Sequence, residues 1–341
     1  MSIPDKEFLE IFSLFSNETI LDAEVINTSR DESDFRETVI VSLASGGKLV
    51  IKLCDNDFTY PEQIESWRRC AEEYRTLGYY CPKIMHDKSG TFPAVRYKGR
   101  SCFAYAEEFS PYKPLEDRMS DPDASGTLSC ESCERDIWTM TAKAAAKRFD
   151  FTDHPSAYCL FETFSPSDKT DEVLENAQSW LEYAKTLPEK FQPQIDRIWQ
   201  LWNDNRSRLE PLYKKLPTSV LQADLNSTNI LLDDEGKFVG VYDFNLSGRE
   251  VFLNYIFREL FADFDKELEM IFRVLKIVRE TYVFSEEEKQ AALLLYRCLK
   301  PLWTNKLDKL KKLGTDKDAL QSYLDRTEQA LTEEIDLRSY L

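Results

Sequence analysis

Short strand-like runs and one helical run alternate along the first hundred residues. Residues 37–54 alternate polar and β-branched positions around the turn sequence ASGG, which predicts a β-hairpin. Across residues 64–77, apolar side chains recur at the spacing of an amphipathic helix. Two more strand-like runs, 94–97 and 102–105, flank a turn at Gly99. The pattern of the first 110 residues therefore predicts a β-sheet with one prominent helix.

Helical periodicity dominates the remainder of the chain. The stretch after Ser110 is rich in Pro, Ser, Asp and Gly, which is typical of a connector. Amphipathic runs follow at residues 136–149, 173–187, 195–216, 284–303 and 318–335. We therefore expect an α+β fold of two lobes, with an N-terminal β-sheet lobe at 1–109 and a mostly α-helical lobe at 110–341.

The net charge and the hydropathy of the chain indicate which classes of binding partner are poor candidates. The 341 residues include 44 Lys and Arg against 61 Asp and Glu, giving a formal net charge of -17. Without a dense basic cluster, nucleic acid and anionic membranes are poor candidates for partners. The first residues form no signal-like apolar region and no run is apolar for long enough to span a bilayer. These features predict a cytoplasmic protein.

The eight cysteines are scattered through a chain without an export signal, so we expect reduced thiols packed as small hydrophobic side chains. Cys130 and Cys133 have CxxC spacing, which raises zinc or redox chemistry. The only two histidines, His86 and His154, are isolated from this pair along the chain. An exposed loop or a helix start is therefore the favoured interpretation of CxxC here.

The segment VLQADLNSTNILLDDEGKFVGVYDFN, residues 220–245, carries the candidate chemistry. Its two strand-like runs are joined by a turn at Gly236, which predicts a hairpin. A hairpin with strands of similar length brings Asn229, before the first strand, close to Asp243, after the second. One amide oxygen and one carboxylate suit Mg²⁺, which takes few protein oxygens and completes its shell with water and phosphates.

Asp224 lies five positions before Asn229 and is not needed as a Mg²⁺ ligand, so it can have a different role. A carboxylate there can accept a hydrogen bond from a hydroxyl group and orient it toward a phosphoryl group. Each of these residues alone would more simply be a turn cap or a strand end. In combination with Lys52 on an early strand, the set favours a phosphotransferase.

Residues 221–243 resemble the catalytic segment of the aminoglycoside phosphotransferase and choline kinase family, a branch of the protein-kinase-like fold. The family shows His-Gly-Asp, four residues, Asn, and then a hairpin ending in Asp and an aromatic residue. By this resemblance, Asp224 is the catalytic residue, while Asn229 and Asp243 bind Mg²⁺. Lys52 is similar to the strand lysine that holds the α and β phosphates of the nucleotide.

The resemblance implies further nucleotide-binding residues. The acidic partner of Lys52 belongs on the following helix, where Glu65 is the first choice and Glu73 the alternative. Adenine would be held by backbone groups near the inter-lobe strand, at Ala106, Glu107 and Glu108. The turn that covers the phosphates, residues 27–38, offers Ser29, Ser33 and backbone amides in place of glycines.

The segment also departs from the family pattern. Gln222 and Ala223 replace the His-Gly before Asp224, and Asn245 follows Asp-Phe where a protein kinase has glycine. The resemblance implies a small-molecule kinase that moves the γ-phosphoryl group of ATP or GTP, with Mg²⁺, to a hydroxyl of a small molecule. A cationic aminoglycoside or amino-alcohol would suit the acidic chain. The alternative is a nucleotide-binding regulator or interaction protein that has the fold without the activity.

Overall fold

The computed structural model describes residues 5–119, 130–262 and 268–341. The helices are α1 (Lys6–Phe15), α2 (Pro61–Thr76), α3 (Leu115–Met119), α4 (Cys130–Lys147), α5 (Glu172–Ala184), α6 (Gln192–Tyr213), α7 (Phe252–Ala262), α8 (Leu268–Val278), α9 (Glu286–Leu299), α10 (Lys306–Lys312) and α11 (Lys317–Thr332). The strands are β1 (Ile20–Asn27), β2 (Phe35–Leu43), β3 (Lys48–Asp55), β4 (Ile84–Met85), β5 (Ala94–Tyr97), β6 (Arg100–Glu108), β7 (Lys113–Pro114), β8 (Thr218–Leu221), β9 (Ile230–Leu232), β10 (Phe238–Val241) and β11 (Gly248–Val251).

An antiparallel sheet forms the N-terminal part, with strand order β1-β2-β3-β6-β4 and β5 paired to β6. Both predicted hairpins are confirmed: β2 turns into β3 through Gly46 at φ +88°, and β5 turns into β6 through Gly99 at φ +79°. Strict alternation of buried and partly exposed residues in β2 matches the two-residue period of a half-buried strand. The strand register places Lys52 opposite Tyr105.

Helix α2 is the predicted prominent helix. It begins with Pro61, whose fixed φ suits a first helical turn, and Gly78 at φ +90° follows its end. Its buried face, which includes Ile64, Trp67 and Tyr74, joins the main hydrophobic core. An additional N-terminal helix, α1, was not predicted; it packs Phe8, Ile11 and Phe12 against the sheet.

The C-terminal part is mainly helical, so the predicted α+β fold class is confirmed. All five predicted amphipathic runs contain a helix, and α7 and α8 are two helices beyond the prediction. Two small sheets lie among the helices, with orders β10-β9-β7 and β11-β8. In the described ranges, none of the helices is both long and apolar enough to cross a membrane.

The CxxC sequence coincides with the start of α4, and part of the predicted connector, residues 120–129, lies outside the described residues. Cys133 is buried with Leu115, Ile137 and Ile230 in a small hydrophobic cluster. Among the residues that the structure describes, no group of three or more His, Cys, Asp or Glu side chains could hold a metal by itself.

Candidate active site

A tight hairpin of β9 and β10 organises the candidate active site. Gly236 adopts φ +81° in the turn, and the Asp233 carboxylate accepts hydrogen bonds from the N–H groups of Glu235 and Lys237, both at 2.9 Å. At the other end, the Tyr242 N–H donates to the Asn229 carbonyl at 3.1 Å. The hairpin thus brings Asn229 beside the residue that precedes Asp243, as the spacing predicts.

The hairpin is also fixed against the segment that follows α2. Tyr80 N–H donates to the Val239 carbonyl at 2.8 Å, and Val241 N–H donates to the Tyr80 carbonyl at 3.0 Å. A Cβ at Gly240 would lie only 1.8 Å from the Tyr80 carbonyl oxygen, so this approach requires glycine. Phe244 adds an edge-on ring contact with Tyr74 of α2, at 5.8 Å between centroids.

Asp224 lies in the loop before β9 with a left-handed backbone, φ +75°. The Asn229 amide donates to the Asp224 carbonyl at 2.9 Å and lies 3.4 Å from its carboxylate. Burial raises the pKa of Asp224 above the ordinary value, and the nearby Asp243 charge raises it further against an opposing hydrogen bond from Asn226. A more basic carboxylate is a better acceptor for the proton of a hydroxyl group.

Lys52 lies between two carboxylates. Its Nζ is 3.1 Å from Glu107 Oε2 and 3.5 Å from Asp243 Oδ1. Burial by itself would lower the pKa of Lys52, but the charges of Asp243 and Glu107 outweigh it and hold the pKa well above its ordinary value. Lys52 is therefore a fixed positive charge at the junction of the sheet and the hairpin.

Glu107, on β6, takes the place predicted for an acid on α2. Glu65 instead binds Arg68 at 2.7 Å and His86 Nε2 at 3.0 Å, and no ion pair joins Lys52 to Glu65 or to the alternative, Glu73. The reason is that α2 turns an apolar and aromatic face toward the core, which leaves Glu65 at its flank. In this structure Lys52 pairs with Glu107 and Asp243 and not with Glu65, so a pairing of Lys52 with Glu65 in the nucleotide-bound protein stays a prediction.

Strand register explains why Glu107 was missed as a side-chain partner. Tyr105 pairs directly with Lys52, and Glu107 stands two residues along β6 on the same face. Diagonal neighbours at this offset lie within reach of long side chains. The sequence shows both residues, but only the register of β3 with β6 shows that they meet.

Most backbone N–H and carbonyl groups of the predicted adenine-binding strand lie between paired neighbouring strands of the sheet. Ala106 pairs with Ile51 and Met85, and Glu107 pairs with Val50 and Ile84. The Glu108 N–H donates to the Lys83 carbonyl at 2.9 Å. Because these residues lie between two neighbouring strands, the backbone beyond Glu108 is more accessible to a base.

The two predicted serines form hydrogen bonds inside their own loop. Ser29 Oγ accepts from the Arg36 N–H at 2.9 Å and donates to the Arg36 carbonyl at 3.3 Å, which closes the loop between β1 and β2. Ser33 Oγ donates to Asp31 Oδ1 at 2.6 Å. Short polar side chains readily form such local bonds, so in this conformation neither hydroxyl is left for a phosphate.

Gln222 performs a supporting role at the position where the related family has histidine. It is fully buried, and its Nε2 donates to the Asp243 carbonyl at 3.1 Å. Its backbone N–H donates to the Tyr74 hydroxyl at 3.1 Å. Gln222 therefore connects the loop before Asp224 to the strand end that carries Asp243.

The fold is shared with solved phosphotransferases at low sequence identity. An aminoglycoside phosphotransferase from Alicyclobacillus acidocaldarius matches with a TM-score of 0.54 and 12% identity, covering 98% of both chains. The amicoumacin kinase hAmiN matches with a TM-score of 0.52 and 14% identity, covering 98% of this chain and 96% of that one. No curated protein matches the sequence. The family model of the phosphotransferase enzyme family matches residues 28–251, and the chain belongs to this family.

Proposed function

We propose that the chain transfers the γ-phosphoryl group of ATP or GTP to a hydroxyl group of a small molecule. Family membership makes the chain a small-molecule phosphotransferase. The observation that best supports the finer proposal is the convergence of Lys52, Asp243 and the Asp224–Asn229 pair, which come from two distant parts of the sequence. Residues 1–109 would form the nucleotide-binding lobe, and 110–341 the lobe that carries the catalytic loop and the acceptor site.

The oxygens beside the hairpin fit Mg²⁺. Asp243 Oδ1 is buried and accepts no hydrogen bond from the residues that the structure describes, although Lys52 Nζ lies 3.5 Å away. The Asn229 amide uses its nitrogen to hold Asp224, which leaves its oxygen with a long 3.3 Å contact from the Thr228 hydroxyl. Asn229 and Asp243 would bind Mg²⁺, and the ion would neutralise charge on the nucleotide phosphates.

Positioning and charge would supply the catalysis. Lys52, held by Glu107 and Asp243, would bind the α and β phosphates. Asp224 would accept the hydrogen bond of the acceptor hydroxyl and take its proton as the phosphoryl group transfers. Ala106, Glu107 and Glu108 would border the adenine or guanine base, with its backbone partners in the residues that follow Glu108.

The acceptor is proposed to be a cationic amine-bearing alcohol. The net charge of -17 supports this choice, because carboxylates near a cleft raise the local concentration of cations. Two of the structures with a similar fold are an aminoglycoside phosphotransferase and an amicoumacin kinase in complex with AMP-PNP, Ca²⁺ and Ami. The first of them agrees with an amine-bearing acceptor.

The test is a phosphoryl-transfer assay with ATP and GTP on a panel of aminoglycosides and amino-alcohols. We expect Asp224→Asn to lower kcat by about 100- to 10,000-fold, because the amide cannot take the hydroxyl proton. Binding of the nucleotide should change by less than about threefold, because Asp224 faces the acceptor. The control is Asp234→Asn in the exposed hairpin turn, which should retain the parent kcat.

Turnover of Asp224→Asn at the parent rate would contradict the role of Asp224. The regulator alternative is favoured by one observation, the internal hydrogen bonds of Ser29 and Ser33 in the loop between β1 and β2. Nucleotide binding by the parent without transfer to any acceptor would support that alternative.

A further inference from the structure

The backbone of Asp224 is in an unfavourable conformation for a residue with a side chain. Its φ of +75° lies in the left-handed region, which is uncommon for non-glycine residues, although Asp adopts it more readily than most. Asp224 and Asn229 contact each other, but they belong to the same loop, so this contact does not anchor the loop to the rest of the molecule. Gln222 anchors the chain two residues earlier, so a contact from outside the loop to the Asp224 backbone itself would add to this restraint.

Glu259 of α7 provides a direct anchor. Its Oε1 accepts hydrogen bonds from the Asp224 N–H at 3.2 Å and the Leu225 N–H at 3.1 Å. The Tyr158 hydroxyl donates to the same oxygen at 3.1 Å and accepts from the Asp224 N–H at 3.0 Å. A single carboxylate oxygen thus binds two consecutive amides of the catalytic loop.

The surroundings of Glu259 favour this role as a hydrogen-bond acceptor. Helix α7 is a rigid support, because Tyr255, Ile256 and Leu260 around Glu259 are buried in the main core. The preceding residue, Arg258, turns its guanidinium to Glu172, and no described residue forms an ion pair with Glu259. Burial, aided by the charge of Asp224, raises the pKa of Glu259 to about 7 against the hydrogen bonds it accepts. The hydrogen bonds of its Oε1 come from two loop amides and a hydroxyl and not from a cation.

We propose that Glu259 is a positioning residue for phosphoryl transfer, which holds the Asp224 backbone so that the Asp224 carboxylate faces the acceptor hydroxyl. This inference rests on the proposed function for its kinetic consequence. The geometric part, that Glu259 restrains the amides of Asp224 and Leu225, is independent of any activity. Tyr158 supports the same restraint by bridging Glu259 and the Asp224 N–H.

The test compares Glu259→Gln with Glu259→Leu. Glutamine keeps an oxygen acceptor of the same shape, whereas leucine fills similar space without one. We expect Glu259→Leu to lower kcat by about 100-fold, as a displaced catalytic group does, with the nucleotide KM within about threefold of the parent. Glu259→Gln should keep kcat within about threefold. Equal losses in both variants, or no loss in Glu259→Leu, would overturn the proposal.

Hydrogen exchange of the Asp224 and Leu225 amides gives a readout without substrate. Exchange should accelerate in folded Glu259→Leu and stay close to the parent in Glu259→Gln. Unchanged exchange in Glu259→Leu would overturn the anchoring role even if the chain proved inactive as a kinase. If the parent protein proved inactive but Glu259→Leu still showed faster exchange of these amides, the anchoring role of Glu259 would be supported. The inactivity would then contradict only the proposed function.

Tyr158→Phe tests the same network if Glu259→Leu does not fold, because it removes a single hydroxyl. We expect faster exchange of the Asp224 amide and a severalfold lower kcat with the nucleotide KM unchanged. Parent-like exchange and kcat in Tyr158→Phe would overturn the proposal in that case.

Discussion

The β9–β10 hairpin and the sheet that carries Lys52 place their candidate site residues in different ways. The hairpin side takes Asp224, Asn229 and Asp243 from one continuous segment, where turn geometry sets their spacing. On the sheet side, Lys52 and Glu107 come from β3 and β6 and meet only because these strands pair in one register. The difference shows that a site residue can be located from local spacing only when the chain between its partners is short and regular.

The largest effect expected from this comparison concerns the partner of Lys52. Glu107→Gln removes a charge that fixes Lys52 and should lower kcat/KM for the nucleotide by about 10- to 100-fold, since hydrogen bonds to charged groups contribute about 1.5–3 kcal/mol. Glu65→Gln is the matched control, because Glu65 binds Arg68 and His86. Steady-state kinetics with varied nucleotide measure both.

The opposite result for these two variants would support Glu65, the residue chosen from the sequence, as the acidic partner of Lys52. A large loss in Glu65→Gln together with parent-like kinetics in Glu107→Gln would mean that α2 supplies the acid in the nucleotide-bound enzyme. The account given by the sheet register would then be wrong.

A smaller effect is expected in the pH dependence of stability. The pKa of Glu259 is raised to about 7 in the folded protein, above the ordinary value of 4.5. The folded state therefore binds the Glu259 proton more tightly than the unfolded state does. The free energy of unfolding that this proton contributes is fully present below pH 4.5 and is lost as the pH rises through 7. Glu259→Gln cannot lose that proton, so its unfolding free energy relative to the parent should increase between pH 5 and pH 8.

Urea unfolding at these two pH values measures the difference, which we expect to be about 1 kcal/mol after allowance for partial solvent access. Asp234→Asn in the exposed turn is the control and should show no such increase. A difference that stayed constant, or reversed, between pH 5 and pH 8 would show that Glu259 is not protonated in this range.

The sequence predicted the parts of the fold in which local pattern decides the structure. Alternation in 37–54 and the turn at Gly99 predicted two hairpins, and helical spacing predicted α2. The turn at Gly236 likewise predicted the hairpin that brings Asn229 close to Asp243. These features depend on turn residues and on periods of 2 or 3.6, which are visible in a single sequence.

The remaining contacts depend on packing between distant segments. Nothing near Glu107 signals that its side chain meets Lys52, and nothing near Glu259 signals that it binds the Asp224 amide. Gln222 departs from the family pattern in residue type, and nothing near it in the sequence signals that its amide nitrogen reaches the Asp243 carbonyl. The strand register and the rotation of each helix are needed to identify such partners.

The most direct test of the proposed site is calorimetric titration of the parent and Asp243→Ala with a non-hydrolysable ATP analogue, with and without Mg²⁺. Because Asp243 Oδ1 is a buried carboxylate oxygen that accepts no hydrogen bond from the described residues, it should bind the ion together with Asn229. We predict that Mg²⁺ strengthens binding to the parent by at least about tenfold and that Asp243→Ala loses this gain. Equal affinity of the parent with and without Mg²⁺, or an undiminished gain in Asp243→Ala, would contradict the account.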